Sequence, residues 1–342
     1  MRCLVLATLS VWALLVTPAM AGDGEWRAVS IKAPGPVQAV LGVGSAVFIE
    51  IDAAGTETAR YHKLYLEAGQ PVLEALPKYL VAPSGLRQDM LPDGVVSRYG
   101  RGIVEAWLIG PTKRYRHGVI GDAIEATGLR VIDQNGVFRS FELPADSVFE
   151  DRLARLVDLD GDGADEILVV RSYLDRGAAV AVVGLRGDRL EIVAESAPIG
   201  QPNRWLNPAG VGDFDGDGRT EFAVVRTPHI GGVLAIYELS DEGLRLESEA
   251  KGFSNHAMGS RVLGLSAVLD ADGDGIPDLA LPAADRRSLR IVSFEGGRLR
   301  EIASVGHRAR IDTAILARDL DRNGMTELVY GLDDDTLVVV QR

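Results

Sequence analysis

The chain has 342 residues, of which 46% are hydrophobic, 25% charged and only 6% aromatic. This aliphatic content, arranged in short runs between glycine-rich turns, excludes an intrinsically disordered protein. The 49 acidic residues outnumber the 36 basic ones, for a net charge of −13, which argues against a protein that binds nucleic acid through its phosphates.

The first 21 residues are typical of a secretory signal peptide. Arg2 supplies a positive start, residues 4–16 form an apolar run, and small residues follow at the spacing Ala19-x-Ala21. The run of 13 residues is shorter than the roughly 20 that a membrane span needs, and no membrane span is predicted elsewhere. We expect cleavage after Ala21 and export to a periplasm or to the cell exterior. Cleavage removes Cys3, so the mature chain would contain no disulfide.

Residues 22–149 contain apolar runs with only weak repetition. Predicted strands of one sheet lie at residues 45–52, 61–66 and 72–76. Predicted strands of a second sheet lie at residues 106–109, 119–126, 129–132 and 137–143. The segment of residues 110–118 stands where an acidic loop would be expected, but it contains no carboxylate, so no cation is predicted there. Residues 80–102 leave room for a further sheet.

Residues 150–342 repeat a pattern of short strands around an acidic segment. The four segments begin at Asp158, Asp213, Asp270 and Asp319, with spacings of 55, 57 and 49 residues. One apolar run precedes each segment, a second follows it directly, and further runs come after glycine- or aspartate-rich turns. Each period therefore predicts one four-stranded antiparallel sheet.

The two ends of the chain favour a closed ring of these sheets. A four-stranded sheet of about 50 residues cannot bury both faces alone, so the sheets must pack on one another. The last repeat ends at Arg342 one strand short, and residues 26–34 resemble residues 189–198, the fourth strand of an earlier repeat. We therefore predict an all-β fold, a β-propeller of six or seven blades over residues 22–342, closed by pairing of the N- and C-terminal strands.

The four acidic segments have the residue pattern of a cation-binding loop. Carboxylates or a carboxamide occupy positions 1, 3, 5 and 9, and glycine occupies position 6. Alternating side chains in a tight loop converge on one point, and a glycine with positive φ turns the carbonyl of position 7 inward. Oxygen ligands without His or Cys are typical of a hard cation, and a flexible loop favours Ca²⁺ over Mg²⁺. The fourth segment departs from the pattern, with Arg322 for glycine and Asn323 for aspartate. An acidic surface turn without an ion is the alternative.

Two other sites share parts of this pattern. An EF-hand needs a glutamate at position 12 between two helices, whereas position 12 here is Val169, Val224, Leu281 or Tyr330, each within a predicted strand. The Asp-x-Asp-Gly string also occurs in haloacid-dehalogenase-type phosphatases. Four copies at the spacing of a sheet repeat, without a βαβ pattern, argue against such a phosphatase.

The pattern Asp-x-Asp-x-[Asp/Asn]-Gly-x-x-[Asp/Glu] followed by a strand resembles the FG-GAP/VCBS repeat, the calcium-bearing blade of integrin-α-type propellers and of many exported bacterial proteins. The resemblance covers residues 150–342 well and residues 22–149 weakly, as degenerate blades. It implies three Ca²⁺ sites and a fourth in the divergent segment. The implied side-chain ligands are Asp158, Asp160, Asp162, Glu166; Asp213, Asp215, Asp217, Glu221; Asp270, Asp272, Asp274, Asp278; and Asp319, Asp321, Asn323, Glu327. The implied carbonyl ligands are those of Ala164, Arg219, Ile276 and Met325.

In that family, ligands generally meet the face opposite the calcium loops. The resemblance therefore implies candidate ligand contacts at Arg204, Trp205, Asn207, His229, Asn255, His256, Arg261 and His307. Trp side chains stack on sugars and Arg gives planar donors, so a glycan or an anionic partner group would suit this face. The competing interpretation is that Trp205 packs in the core and the arginines are solvated or paired with acids.

Three functions are compatible with these features. We predict a non-catalytic, calcium-stabilised module that binds a protein or a surface glycan outside the cytoplasm. The alternatives are a polysaccharide lyase or hydrolase that uses the same loop-rich face, and a structural module that associates with copies of itself. No arrangement of a nucleophile and a base distinguishes the enzyme in the sequence.

Overall fold

The computed structural model describes residues 26–52, 60–76, 87 and 89–342. The predicted signal peptide, residues 1–21, lies outside the described residues. Within them the regular structure consists of β-strands and one short 3-10 helix, Glu295–Gly297, so the fold is all-β as predicted. Among these same residues we find no helix with the length and apolar character to cross a bilayer.

The strands are numbered in chain order. Those of the first half are β1 Arg27–Lys32, β2 Val37–Val43, β3 Ala46–Ile51, β4 Arg60–Glu67, β5 Gln70–Ala75, β6 Ser97–Arg98, β7 Ile103–Thr112, β8 Glu125–Asp133, β9 Phe138–Glu142, β10 Ser147–Phe149, β11 Arg155–Val157, β12 Glu166–Tyr173, β13 Gly177–Arg186 and β14 Arg189–Glu195. Those of the second half are β15 Leu206–Gly212, β16 Glu221–Arg226, β17 Val233–Ser240, β18 Gly243–Lys251, β19 Ala267–Leu269, β20 Asp278–Pro282, β21 Ser288–Ser293, β22 Arg300–Gly306, β23 Leu316–Arg318, β24 Glu327–Gly331 and β25 Thr336–Gln341.

Antiparallel pairing arranges these strands in four-stranded units. Strands β2–β5, β6–β9, β11–β14, β15–β18 and β19–β22 form the first to fifth units, and β23, β24, β25 and β1 form the sixth. The second and third units belong to one nine-stranded sheet because β10 pairs with β8 on one side and with β12 on the other. The other four units are separate sheets.

The two ends of the described chain meet in the sixth unit. Strand β1 pairs with β25 from Arg27 opposite Gln341 to Lys32 opposite Thr336. The predicted pairing of the N-terminal strand with the last strand is therefore confirmed. Trp26, which precedes β1, is 95% buried, at 5% exposure, and it anchors the first described residues in the core between the fifth and sixth units.

The hydrophobic core lies between successive units. Separate clusters of buried side chains join the second unit to the third, the third to the fourth, the fourth to the fifth, the fifth to the sixth and the sixth to the first. Central strands such as β12 and β13 are therefore covered on both faces: all eight residues of β12 and the first eight of β13 are buried. Outer strands such as β18 alternate between exposed and half-buried positions.

Alternating hairpins place the connections at two opposite ends of the units. The four acidic segments join first to second strands, at residues 158–166, 213–221, 270–278 and 319–327, and are called loops 1 to 4. The connections between second and third strands, and those between units, lie at the other end. Each of loops 1 to 4 thus lies at the same end of its unit, and the connections that carry the candidate ligand residues lie at the other end, here called the opposite face.

The second unit differs from its prediction. Strand β7 includes residues 110–112, and residues 113–124 connect the second strand to the third at the end away from the acidic loops. The counterpart of an acidic loop is the short turn of residues 99–102, in which Tyr99 has φ 69° and Gly102 has φ 76°. The predicted strand at 119–126 was wrong, because the apolar side chains of Val119 and Ile120 fill the core from a loop.

Candidate metal centres

The first aspartate of each acidic loop accepts two hydrogen bonds from backbone N–H groups of the same loop. In loop 2, Asp213 accepts hydrogen bonds from the backbone N–H groups of Gly216 at 2.8 Å and Gly218 at 2.9 Å. The same two bonds recur in loop 1 at Asp158 and in loop 3 at Asp270. The backbone therefore wraps around the first carboxylate in all three loops.

The third and fifth positions continue this folding. Asp215 accepts from the N–H of Asp217 at 3.1 Å, and Asp217 accepts from the N–H of Arg219 at 2.9 Å. These side-chain-to-backbone turns are the local structures that Asp and Asn favour. The glycine of position 6 has the predicted positive φ, 90° at Gly163 and 90° at Gly218, which costs glycine no steric strain.

Loop 4 reaches nearly the same shape with more strain. Arg322 stands where the other loops have glycine, and its φ is 63°, a left-handed conformation that costs a non-glycine residue of order 1–3 kcal/mol. Asp319 accepts from Asn323 at 3.1 Å and from Gly324 at 3.0 Å. Asn323 then accepts from the N–H of Met325 at 2.7 Å, as an aspartate does in the other loops.

Position 9 supplies a buried carboxylate at the start of the second strand. Glu166, Glu221, Asp278 and Glu327 are all almost completely buried. One oxygen of each accepts from the N–H of loop position 2, at 2.7 Å between Glu221 and Phe214. The second oxygen of Glu221, Oε1, is buried without a hydrogen-bond partner among the described residues. A buried unpartnered carboxylate oxygen is costly unless a cation or a proton satisfies it.

The structure brings most of the predicted side-chain ligands together. In loop 2, oxygens of Asp213, Asp215, Asp217 and Glu221 all lie within 4.8 Å of one another. In the other loops the corresponding groups are Asp158, Asp160 and Glu166; Asp270, Asp272 and Asp278; and Asp319, Asp321 and Glu327. Asp162 and Asp274 are outside these groups, and each accepts from the N–H of position 7. Asn323 makes the same bond in loop 4, and the role of the carbonyls at Ala164, Arg219, Ile276 and Met325 stays a prediction.

Burial and repulsion from neighbouring carboxylates raise the pKa of the position-9 side chains. Burial, reinforced by Asp215, Asp213 and Asp217, raises the pKa of Glu221 to about 7. Burial likewise raises the pKa of Asp278 to about 6 and moves the pKa of Glu166 and of Glu327 upward. A bound cation would favour the ionised form of each group. The all-oxygen donor set and the unpartnered Oε1 of Glu221 fit a hard divalent cation.

Arginines surround loop 1 more closely than the other loops. Arg101, in the turn of the second unit, lies 2.9 Å from Asp158 and 3.7 Å from Asp165. Arg186 lies 3.4 Å from Asp160 and 3.7 Å from Glu166. In loop 3 the corresponding contact is a single one, Arg300 to Asp272 at 3.6 Å.

Four of the candidate ligand residues at the opposite face are buried. Trp205 donates from Nε1 to the carbonyl of Glu150 at 3.0 Å. Asn207 and Asn255 each donate to the other's backbone carbonyl, at 3.1 and 3.2 Å. His256 is 1% exposed. These four side chains hold neighbouring connections together, as the packing interpretation requires.

The other four candidates are partly or fully exposed. Arg261 bonds Asp93 at 3.1 Å and Asp122 at 3.0 Å, and His307 contacts the hydroxyl of Tyr330 at 2.7 Å. His229 contacts His256 at 2.9 Å and stacks on Trp205 at 6.2 Å between ring centroids. Arg204 lines a small recess beside His229.

A buried polar cluster behind this face was missed by the sequence analysis. His117 Nδ1 contacts Glu150 at 2.7 Å, and Ser172 donates to the other oxygen of Glu150. Glu125, on the neighbouring strand, is 0% exposed with both carboxylate oxygens unpartnered within the described part of the chain. Burial, then the charge of Glu150, raises its pKa to about 9. His117 and Glu150 are 33 residues apart, so no local pattern signals their contact.

Loops 1 and 2 lie in a segment of the chain that matches a known family of repeats. Residues 158–224 match the model of the FG-GAP-like repeat. The chain therefore contains FG-GAP-like repeat sequence at these residues. The matched residues contain loops 1 and 2, so the resemblance seen in the acidic segments is confirmed for this part of the chain.

The solved structures that match the chain are distant from it in sequence. The rhamnogalacturonan lyase PL11 of Bacillus licheniformis is 16% identical, with a TM-score of 0.42 over 89% of this chain and 66% of the lyase. The exotype rhamnogalacturonan lyase YesX is 14% identical, with a TM-score of 0.42 over 89% of this chain and 64% of that chain. The WD40 domain of Toxoplasma gondii coronin is 11% identical, with a TM-score of 0.44 over 95% and 88%. The chain thus spans just under two thirds of either lyase. No curated protein matches the chain.

Proposed function

We propose that this chain, with its FG-GAP-like repeats, is an exported, calcium-stabilised β-propeller of six blades that binds a protein or a glycan without catalysing a reaction. The observation that carries the proposal is the fourfold recurrence of one acidic loop, with the same internal hydrogen bonds and a buried carboxylate at its end. The same local structure in four units indicates the same role in each of them. The grouped carboxylate oxygens of the loops suit a cation.

The arrangement of the six units supports a ring. Core clusters join the units in the order second, third, fourth, fifth, sixth and first. The sixth unit uses strands from both ends of the described chain. A ring needs in addition only that the first unit packs on the second. Each unit would then be one blade of a single domain over residues 22–342, with residues 22–149 as blades without acidic loops.

The chemistry of the loops supports Ca²⁺ as the cation. Three or four carboxylates within a few ångströms repel one another by roughly 1 kcal/mol or more per pair, even at the dielectric constant of water. A divalent ion converts that repulsion into attraction and satisfies Glu221 Oε1. Oxygen ligands on a flexible glycine-containing loop suit the irregular coordination of Ca²⁺ better than the strict octahedron of Mg²⁺.

A binding role fits the opposite face better than catalysis. His256, the most buried histidine there, is engaged on both ring nitrogens by His229 and by the carbonyl of Ser260. It therefore acts as a support for the loops. Exposed arginines and half-buried His229 surround it and offer contacts to a ligand.

Two measurements on the mature chain test the proposal. Thermal melting with calcium and with a chelator should give a lower melting temperature after chelation. The double variant Asp215→Asn/Asp217→Asn should lose part of that difference, whereas Asp188→Asn, in an exposed turn outside the loops, should keep it. An unchanged melting temperature in chelator contradicts the calcium assignment.

Binding and catalysis are separated by a second experiment. The protein is applied to a glycan array and used to capture exported proteins, and the same polysaccharides are assayed for unsaturated or hydrolysed products. The proposal expects binding without product. Product formation that is lost in His229→Ala would replace the binding function with a lyase or hydrolase.

A further inference from the structure

We propose that a pocket formed by histidines and arginines at the face opposite the acidic loops binds a hexuronate residue of an acidic polysaccharide. The pocket has a volume of about 270 Å³ and is lined by His229, His256, Arg286, Arg287 and Arg310, among others. This inference rests on the proposed binding function and assigns it a site and a class of ligand.

The pocket is assembled from four connections that the sequence keeps apart. His229 comes from the connection between β16 and β17, and His256 from that between β18 and β19. Arg286 and Arg287 lie between β20 and β21, and Arg310 lies between β22 and β23. Three neighbouring units therefore contribute to one concave surface. Concave sites where several elements converge are the usual position of ligand pockets.

Two of the arginines have charge available for a ligand. Arg286 donates to the carbonyl of Ile311 at 2.9 Å and to Asp312 at 3.1 Å. Arg287 and Arg310 are exposed, and within the described chain no carboxylate lies within ion-pairing distance of either guanidinium. Most other arginines at this face are paired, as Arg261 is with Asp93. Unpaired guanidinium groups are planar donors that suit a carboxylate.

Three carboxylates lie near these arginines, but none of them pairs with the guanidinium of Arg287 or Arg310 in the described chain. Asp285 is the one acidic residue that lines the pocket in the described chain, and its Oδ1 accepts from the backbone N–H of Arg287 at 2.9 Å. Asp312 is engaged by Arg286. Asp333 accepts from the backbone N–H of Arg310 at 2.9 Å, so the side chains of Arg287 and Arg310 keep their donors available for a ligand.

The histidine pair supplies a hydrogen-bond acceptor beside these donors. His256 Nε2 lies 3.0 Å from the carbonyl of Ser260, and a carbonyl only accepts, so Nε2 carries the proton. His256 Nδ1 is then an acceptor and receives the proton of His229 Nε2 at 2.9 Å. This arrangement leaves the lone pair on His229 Nδ1, which has no partner within the described residues. Burial lowers the pKa of His229 to about 4 and that of His256 to about 3, which keeps both rings neutral.

This combination of donors and acceptor selects the ligand chemistry. Arginine donors recognise a carboxylate, while the neutral His229 accepts from a hydroxyl. A hexuronate carries both groups on one ring, whereas an aspartate or glutamate side chain has no hydroxyl beside its carboxylate. A volume of about 270 Å³ is at or below the lower limit of about 300 Å³ for pockets that enclose a drug-sized molecule. It suits one sugar ring of a longer chain.

Two of the seven non-glycine residues with positive φ in the described chain lie at or beside this pocket. Thr227, two residues before His229, has φ 49°, and Arg286 has φ 58°. Such left-handed conformations are costly for non-glycine residues and persist where the surroundings enforce them, often at binding sites. Trp205 stacks on His229 with an interplanar angle of 4°, which fixes the direction of its ring.

The test measures calorimetric binding of a hexuronate tetrasaccharide to the calcium-loaded full chain. The tetrasaccharide with its carboxylates reduced to alcohols is the matched ligand control. Arg287→Gln/Arg310→Gln should weaken binding by roughly tenfold or more, because hydrogen bonds to a charged group are lost. Arg308→Gln removes one positive charge from an exposed neighbour outside the pocket lining and should leave binding nearly unchanged.

Each other outcome overturns the inference in a distinct way. Equal binding of the reduced tetrasaccharide removes the carboxylate from recognition but keeps a glycan-binding function. Equal binding of a glutamate peptide, lost in the same double variant, makes the partner a protein. Absence of binding to every glycan on the array and to every captured protein would contradict the proposed function itself. A melting temperature of the double variant equal to that of Arg308→Gln establishes that folding is not the cause of any loss.

Discussion

The second and third units lie side by side in one sheet, yet they close the same hairpin in different ways. The third unit joins its first two strands through loop 1, residues 158–166, with five acidic residues. The second unit uses the short turn of residues 99–102, without any acid. Four paired strands form in both cases. The carboxylates are therefore not needed to connect the strands, which is why their recurrence in four loops points to a cation.

The contrast is sharpened by a contact between the two connections. Arg101 of the second unit reaches Asp158 and Asp165 of loop 1. A positive side chain from the unit without an acidic loop thus partly neutralises the adjacent acidic loop. The second and third units are therefore electrostatically coupled where these two connections meet.

The largest effect is expected from removal of β1, the N-terminal strand that completes the sixth unit. Deletion of residues 26–32 removes β1 and Trp26 and exposes the edge of β25. Loss of a buried tryptophan alone costs about 3–5 kcal/mol, so the acidic-loop units should be destabilised by at least that amount, as measured by urea unfolding. Ser30→Ala, at an exposed position of β1, is the control. A deletion variant as stable as the full chain would mean that the sixth unit does not need the N-terminal strand.

Chelation should affect the four units that carry acidic loops and spare the first and second units. At a calcium concentration of 100 times Kd, each site contributes about 2.7 kcal/mol to stability, and this is lost on addition of chelator. Hydrogen exchange should increase at loop amides such as Gly216 and Gly218, which bond Asp213. Exchange in β7 should stay constant. Glu221→Gln should reproduce the change in loop 2 alone, and a uniform increase over both parts would contradict local cation sites.

The second unit should show a pH dependence of its own. Glu125 has an ordinary pKa of 4.5 when unfolded and about 9 in the folded protein because of its burial. The folded state therefore holds a proton that the unfolded chain releases between these values. Its contribution to stability is complete below pH 4.5 and is lost at up to about 1.4 kcal/mol per pH unit as the pH rises towards 9.

Replacement of this carboxyl by an amide isolates its contribution. Glu125→Gln should flatten the dependence of the free energy of unfolding on pH between 5 and 9, measured by denaturant titration at several pH values. Glu142→Gln, exposed on β9, should leave the slope as it is. Identical slopes in the wild type and in Glu125→Gln would show that Glu125 is ionised in the folded state.

The smallest effect is expected at the contact between Arg101 of the second unit and loop 1 of the third unit. Arg101→Gln removes a positive charge that lies 2.9 Å from Asp158, so a cation should meet less competition in loop 1. Exposed ion pairs contribute about 0.2–1 kcal/mol, which corresponds to an increase in calcium affinity of up to about fivefold. The calcium dependence of hydrogen exchange in residues 158–166 measures it, with Arg189→Gln as the exposed control. An unchanged or weaker affinity would show that Arg101 does not compete with the cation.

Features that depend on neighbouring residues could be predicted from the sequence. The acidic loops fold through bonds over two to five residues, such as those from Asp213 to Gly216 and Gly218, so their pattern determines their shape. The spare strand at residues 26–34 was recognisable because it resembles the fourth strand of a repeat. The strands of the second unit were less predictable, because Val119 and Ile120 are apolar for packing from a loop.

The sequence by itself thus determined the all-β fold and the acidic loops, since both are encoded in local periodicity. It also determined the pairing of the two terminal strands, because the last repeat is one strand short and residues 26–34 resemble the missing strand. Only the tertiary structure decided which contacts the histidines and arginines make and how deeply they are buried. His117 meets Glu150, Trp205 and His256 become buried supports, and His229 lines one pocket with Arg287 and Arg310. These contacts join residues from different units, and the packing of the units sets their distances, which no spacing along the chain records.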